Sequence, residues 1–189
     1  MSGGKRLFHC IAAMDMKRGI GRNNLLPWNL PNEYKHFTET TTSTSEDKQN
    51  AVIMGKNTWY SIPQDMRPLK RRLNLIISSS LQSGDLPNDV VLCRGLPEAM
   101  ELLNTEPFTN SVDEVFITGG TSLYKEAMES DLCARVYLTK IESDFNCDVF
   151  YPEFDDMQMF KEIKLSEVSQ DVQEEKGVKY RFHVYEKVQ

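Results

Sequence analysis

One glutamate stands on what should be an apolar stripe. Within residues 20–37 (IGRNNLLPWNLPNEYKHF) the pattern becomes helical from Asn32, and Pro31 suits a first helical turn. Leu30, Glu33 and Phe37 fall at i, i+3 and i+7 and share a face, with Tyr34 beside them. Glu33 is therefore either a solvated helix-border acid or a carboxylate at the bottom of a cleft. In a cleft, loss of water raises its pKa, and it seeks a cationic or amide-like partner. The residues before it carry Gly19, Gly21, Asn23-Asn24 and Pro27 and read as a loop. With Trp28 and two leucines this loop supplies a cleft wall and a mobile lid.

Two further places suit an anion. At Thr118-Gly119-Gly120-Thr121-Ser122 a strand pattern ends, two glycines let a ligand approach the backbone, and a helix pattern begins with free amides. Gly55-Lys56-Asn57-Thr58 repeats that arrangement and adds a lysine. Either Gly-bearing junction alone also reads as a tight turn. Two in one sheet favour an extended phosphate ligand such as a pyrophosphate. Neither is a standard fingerprint. Gly19-Ile20-Gly21 meets Asn24 where a third glycine belongs, and Gly55-Lys56 is followed by Asn57 where a P-loop has Ser or Thr. His9, His36 and His183 form no metal-ligand spacing, and no nucleophile elbow appears, so covalent and metal chemistry are unsupported.

The elements that must position these groups follow from hydrophobic pattern. Short apolar runs at residues 7–14, 50–55, 73–78, 90–93, 114–118 and 135–141 predict buried strands. Between them lie helices from Asn32, after Gly55, at 96–104 and at 122–129. Residues 38–48 are rich in Thr and Ser and read as a surface loop whose early residues can continue the helix, and residues 67–72 form a basic connector. Near the end Ile163 and Leu165 alternate with polar residues. Val178, Tyr180, Phe182 and Val184 alternate with Lys179, Arg181, His183 and Tyr185, after a turn at residues 175–177. This predicts an α/β fold whose sheet closes in an antiparallel edge with one face toward water.

The chain has 189 residues, 40% of them hydrophobic, and a net charge of −6 with mixed signs throughout. That suits one domain spanning 1–189 and gives no basic footprint for nucleic acid. Cys10, Cys93, Cys133 and Cys147 are far apart and read as buried free thiols in a reducing compartment. No apolar run approaches the roughly 20 residues of a membrane span, and the first residues lack a signal-peptide core. The expectation is a soluble, cytoplasmic monomer.

Leu26-Pro27-Trp28, the helix bearing Glu33, Met54-Gly55-Lys56-Asn57-Thr58-Trp59, the Arg67–Arg72 connector, Gly119-Gly120 with Tyr124, and the tail from Asp171 to Lys187 together resemble the dihydrofolate reductase family, in its animal form. The resemblance covers nearly the whole chain. It implies a mixed, mostly parallel eight-stranded sheet with helices on both faces. It also implies NADPH as cofactor, dihydrofolate as substrate, antifolate inhibitors as ligands, and a role in one-carbon metabolism and thymidylate synthesis.

The resemblance further implies roles. Glu33 holds the pterin amino group and ring nitrogen, with Trp28 and Leu26 in the same catalytic region. Ile11, Ala13, Tyr34, Phe37, Ile62 and Leu69 wall the substrate pocket, Thr139 bonds near Glu33, and Arg72 clamps the glutamate α-carboxylate. Ala13, Ile20, Gly21, Gly55, Thr58 and the run Gly119, Gly120, Thr121, Ser122, Leu123, Tyr124 meet the nicotinamide and phosphates. Lys56, Ser78 and Arg94 hold the extra ribose phosphate. Three features depart from the family pattern: Ser79 replaces a common arginine, Tyr34 replaces a phenylalanine, and Trp28-Asn29-Leu30-Pro31 is one residue shorter than the vertebrate loop and similar to bacterial forms. A pyrimidine reductase of riboflavin synthesis resembles the same fold but does not require Glu33 and Arg72 in these contexts. A non-catalytic NADPH- or RNA-binding module would bind without turnover.

Overall fold

The computed structural model describes residues 4–45, 47–154 and 158–189. Residues 1–3, at the start of the segment read as lacking a signal peptide, and Glu46, inside the expected Thr/Ser loop, lie outside the described residues.

The elements in chain order are β1 (Phe8–Met14), β2 (Gly19–Gly21), α1 (Pro31–Thr42), β3 (Gln49–Gly55), α2 (Lys56–Ser61), β4 (Arg72–Ile77), β5 (Val90–Cys93), α3 (Leu96–Leu103), α4 (Phe108–Ser111), β6 (Val112–Ile117), α5 (Thr121–Glu129), β7 (Cys133–Ile141), β8 (Val149–Phe150), β9 (Phe160–Ile163), β10 (Gln173–Glu175) and β11 (Val178–Lys187). Eight of them form one path, β10-β11-β7-β1-β6-β3-β4-β5. From β7 to β5 every neighbour is parallel. β11 runs antiparallel to β7, and it carries β10 on Val178–Tyr180 and β9 on Val184–Lys187 along its other side. Two short strands thus share one edge position, and the eight-stranded expectation holds for positions while the sheet counts a ninth strand.

Burial explains why the strands are parallel and central. Five consecutive residues of β3, Asn50 through Met54, are buried, so both faces need cover. Ala51 and Ile53 face a cluster built with α3 and α5, through Met100, Leu103, Leu123 and Ala127. Val52 and Met54 face the other cluster, with Trp59 of α2 and Phe37 of α1. Helices therefore lie on both sides of the sheet.

α1 continues to Thr42, so the early residues of the Thr/Ser segment take the helical alternative left open for them, with the Thr41 and Thr42 hydroxyls donating back to the Phe37 and Thr38 carbonyls. Several expectations need correction. Residues 19–25 are not an open loop. Gly19–Gly21 pairs with β8, and Asn23 and Asn24 (φ 51 and 57) make a tight turn between the bridged Arg22 and Leu25. Leu165 falls beyond β9. Tyr185, expected on the water face of β11, is 1% exposed because Phe154 covers its ring at 5.5 Å. Cys147 is half-buried, unlike the other three free cysteines. No helix of the described residues is long and apolar enough to cross a membrane.

The basic connector is held by one buried amide. Asn74 in β4 donates to the Leu69 and Arg72 carbonyls at 2.9 and 3.0 Å and accepts from the Leu69 amide at 3.0 Å. Replacing Asn74 with Ala removes the side-chain partner of three backbone groups, two of them in buried bonds. We expect Asn74→Ala to lose about 2–3 kcal/mol, read as a lower urea midpoint with an unchanged slope. A loss under about 0.5 kcal/mol, the usual range for surface changes, would contradict this account of the connector.

Candidate active site

Parallel strands point their carboxyl ends the same way, and a crevice forms there. The ends of β1, β3, β4 and β6 open onto a cleft of about 2150 Å³. Typical sites for one small ligand span roughly 300–1,000 Å³, so this cleft has room for two ligands side by side. α1, the 20–30 segment and the α2 region form its walls.

Glu33 sits at one end. Pro31 starts α1, and Glu33, on the stripe with Leu30 and Phe37, turns inward, where it is 6% exposed. Burial drives its pKa up to about 7, against the pull of the Thr139 hydroxyl from β7 and with a push from the charge of Glu175. Trp28 stands nearby, 5% exposed, edge-on to Phe145 at 5.3 Å. Its buried Nε1 has no hydrogen-bond partner among the described residues, which suits donation to a water or ligand. An acid that titrates near neutrality beside an unspent donor suits recognition of an amino-substituted heterocycle.

At the other end the two glycine junctions meet. The Gly55 amide donates to the Gly119 carbonyl at 2.9 Å, joining the ends of β3 and β6. The Gly119-Gly120 peptide is cis, and Gly119 has φ 130. A Cβ on Gly119 would come within 3.0 Å of Thr58 Oγ1, so only glycine fits beside α2. The start of α5 then lines the cleft with no side-chain cap among the described residues, which suits a pyrophosphate cradle. Tyr124 is anchored rather than free: its hydroxyl donates to the Ile11 carbonyl at 2.7 Å. Thr121 donates to the Phe150 carbonyl at 2.6 Å and ties α5 to β8.

Charges for a further phosphate lie past the ends of β3 to β5. Lys56 Nζ donates to Ser80 Oγ at 3.2 Å, and Ser80 lies 3.3 Å from Ser78 Oγ. Arg94 Nη1 donates to the Ser78 and Leu81 carbonyls at 2.8 and 2.6 Å, which steers its guanidinium. Ser79 also lines the cleft here.

The lid side is pinned by Asp15, which is 2% exposed. Its Oδ1 accepts from the Lys17 and Gly19 amides at 2.9 and 2.7 Å, and its Oδ2 accepts from the Phe145 amide at 3.0 Å. Burial raises the Asp15 pKa, but these amides and the Cys147 thiol outweigh it and hold the group ionised.

Every expected site residue lines the cleft except Arg72. Arg72 stands behind the wall, half-buried, with Nη1 donating to Thr41 Oγ1 at 2.9 Å and its guanidinium 5.9 Å from the Phe37 ring. Leu26 is at the mouth, 51% exposed. The expectation missed several lining residues, among them His36, Asn57, Ser80, Tyr137 and Val149. His36 stacks on Phe182 at 3.9 Å, and burial lowers its pKa. Its position at i+3 from Glu33 was the available clue.

A dihydrofolate reductase family model matches residues 7–187. The dihydrofolate reductase of Sus scrofa is 46% identical over 186 residues, covering 96% of this chain and 98% of that protein. The viral dihydrofolate reductase of Saimiriine herpesvirus 2 (strain 488) is 44% identical over 184 residues, covering 96% and 85%. The solved Schistosoma mansoni dihydrofolate reductase superposes with a TM-score of 0.86 at 36% identity, covering 97% of this chain and 99% of that one.

The state of Glu33 has a signature independent of turnover. Its folded pKa is raised above the unfolded value, so stability is full below the unfolded pKa and falls as pH rises toward about 7. Glu33→Gln removes that dependence. The variant should exceed wild type by about 3 kcal/mol at pH 8, with the advantage fading toward pH 4.5. Chemical denaturation across pH checks this, and a pH-independent difference would refute it.

Proposed function

We propose, for a chain that belongs to the dihydrofolate reductase family, that it reduces 7,8-dihydrofolate to tetrahydrofolate with NADPH, and that Glu33 orients the pterin. The enzyme is a dihydrofolate reductase by family, relatives and fold. The observation that carries the mechanistic reading is Glu33 itself, buried to 6% exposure and titrating near neutrality at the foot of a cleft large enough for two ligands.

The residues present fit a dinucleotide. The glycine-only contact of Gly119 with Thr58, the amides opening α5, and Lys56 beside Ser80 and Arg94 suit a pyrophosphate and a further phosphate. NADPH, when bound, supplies the hydride that reduces a ring C=N bond. Ala13, Ile20 and Gly21 then face the meeting point of the two ligands.

The chain's own work is orientation and proton placement. The Glu33 carboxylate accepts two hydrogen bonds, from the pterin amino group and the adjacent ring N–H. Thr139 steadies it from β7. Ile11, Tyr34, Phe37, Ile62 and Leu69 exclude water from the ring. The ring nitrogen beside the reduced carbon takes its proton from water, because Glu33 lies on the opposite edge of the pterin. Trp28 Nε1 and Glu33 hold that water's network and the ring tautomer. Arg72, reached past Phe37, clamps the α-carboxylate of the substrate's glutamate. This reading describes a monomeric, cytoplasmic enzyme open to antifolate inhibitors.

NADPH oxidation with dihydrofolate tests the reading. Glu33→Gln should lose about 10²–10⁴-fold in kcat at neutral pH and recover partly at low pH, where the substrate protonates unaided. Normal turnover in that variant would sink the assigned role. For the cofactor, Lys56→Gln and Arg94→Gln should each raise the KM for NADPH about tenfold or more and leave the KM for NADH within about twofold. Equal effects on both cofactors would remove these two cations from phosphate recognition.

A further inference from the structure

The C-terminal hairpin reaches the helix that carries Glu33. β10 ends at Glu175, and Lys176 and Gly177 (φ 51 and 76) turn the chain into β11. One oxygen, Glu175 Oε1, accepts from the Asn32 amide at 2.9 Å, the Glu33 amide at 3.1 Å and the Tyr180 hydroxyl at 2.9 Å. Pro31 brings no amide to the first turn of α1, and Leu30 at the cap position offers no side-chain acceptor. The free donors of that turn are therefore met by a residue 142 and 143 positions away instead of by a local cap.

We propose that Glu175 is a positioning residue for Glu33: anchored by Tyr180, it fixes the first turn of α1 and so the direction in which the Glu33 side chain enters the cleft. The proposal rests on the role assigned to Glu33 above. Glu33's backbone amide is one of the bonds Glu175 accepts, so a loose Glu175 lets the turn that aims Glu33 fray. A carboxylate there also meets the positive end of the helix dipole.

Four groups face the Glu33 carboxyl. Thr139 from β7 and Glu175 from β10 act on its ionisation, while Tyr180 from β11 and Tyr124 from α5 have their own pKa values raised, by burial first and by its charge as well. Thr139 favours the charged form, and the Glu175 charge opposes it. Burial raises the pKa of Glu175 itself, but the donors from Asn32, Tyr180 and Glu33 and nearby Lys176 outweigh burial and keep it ionised. Glu175 therefore does two separable things, one through hydrogen bonds and one through charge.

Variants separate them. Glu175→Ala removes acceptor and charge, Glu175→Gln keeps an acceptor oxygen without the charge, and Tyr180→Phe removes only the anchor. Each is assayed for kcat and KM with dihydrofolate across pH, for NADPH affinity and for thermal midpoint, beside Glu33→Gln. Glu175→Ala should lose about tenfold in kcat/KM for dihydrofolate with NADPH affinity unchanged. Glu175→Gln should keep most of kcat/KM and move the pH midpoint that depends on Glu33 to lower pH. Tyr180→Phe should fall between them.

A Glu175→Ala enzyme within twofold of wild type, with an unmoved pH midpoint, overturns the proposal even if it melts earlier. Should Glu175→Ala fail to fold, the midpoint of Glu175→Gln decides, and no shift overturns it. Full activity in Glu33→Gln overturns both readings. Collapse of Glu33→Gln beside an unaffected Glu175 series overturns this one alone.

Discussion

The cost of burying one carboxyl group organises this molecule. Glu33 gives up hydration at 6% exposure, and a charged group in such a place must be met by donors or by a proton. The surroundings supply both a hydroxyl from β7 and a pKa near neutrality. They also hold the helix still. At its far end, Asn50 is fully buried and donates to the Thr41 and Ser43 carbonyls at 3.0 and 2.9 Å while accepting from the Glu114 amide at 3.0 Å. At its near end Glu175 takes the first amides. α1 is thus fastened at both ends by residues of the sheet, and the acid between those fastenings has little freedom to seek water.

The parallel sheet does the complementary work. Because β1, β3, β4 and β6 run the same way, their carboxyl ends share one rim. The Gly55–Gly119 hydrogen bond brings the two glycine junctions into contact, and Ile11 and Ala13 of β1 line the same cleft as Glu33. Anchored groups such as Tyr124 and Arg94 spend hydrogen bonds on backbone carbonyls. They define the shape of the cleft before any ligand arrives, which lowers the ordering cost of binding.

Much of this was legible in the chain. Runs such as VIM in β3 and LII in β4 are apolar because both faces are covered, so the central strands and the helices between them announce themselves. The stripe Leu30, Glu33, Phe37 exposed the acid, and the glycine junctions pointed to the strand ends that line the cleft. What escaped lacks local pattern. β2 and β8 are too short for any period, and their pairing joins residues far apart in sequence. Tyr185 sits in an alternation that faces water, yet Phe154, from an irregular segment, covers it. Arg72 carries the right charge, but it lies against the Phe37 ring and outside the cleft lining. Glu175 has no neighbours that mark it as a helix cap, since a cap is normally read from the adjacent residue.

The long reach of the C-terminal hairpin bears on how the molecule is made. Synthesis delivers residues from the N-terminus onward, and long-range pairings wait for their later partner. β1 sits in the middle of the sheet between β6 and β7, and β11 must arrive before β7 gains its other neighbour. The first turn of α1, made early, stays uncapped until Glu175 and Tyr180 have emerged. A ribosome-bound chain ending before residue 175 can collapse its apolar strands but has no finished acid site. Fixing of the turn that carries the acid is thereby tied to formation of the C-terminal hairpin, because the Asn32 and Glu33 amides have Glu175 as their acceptor.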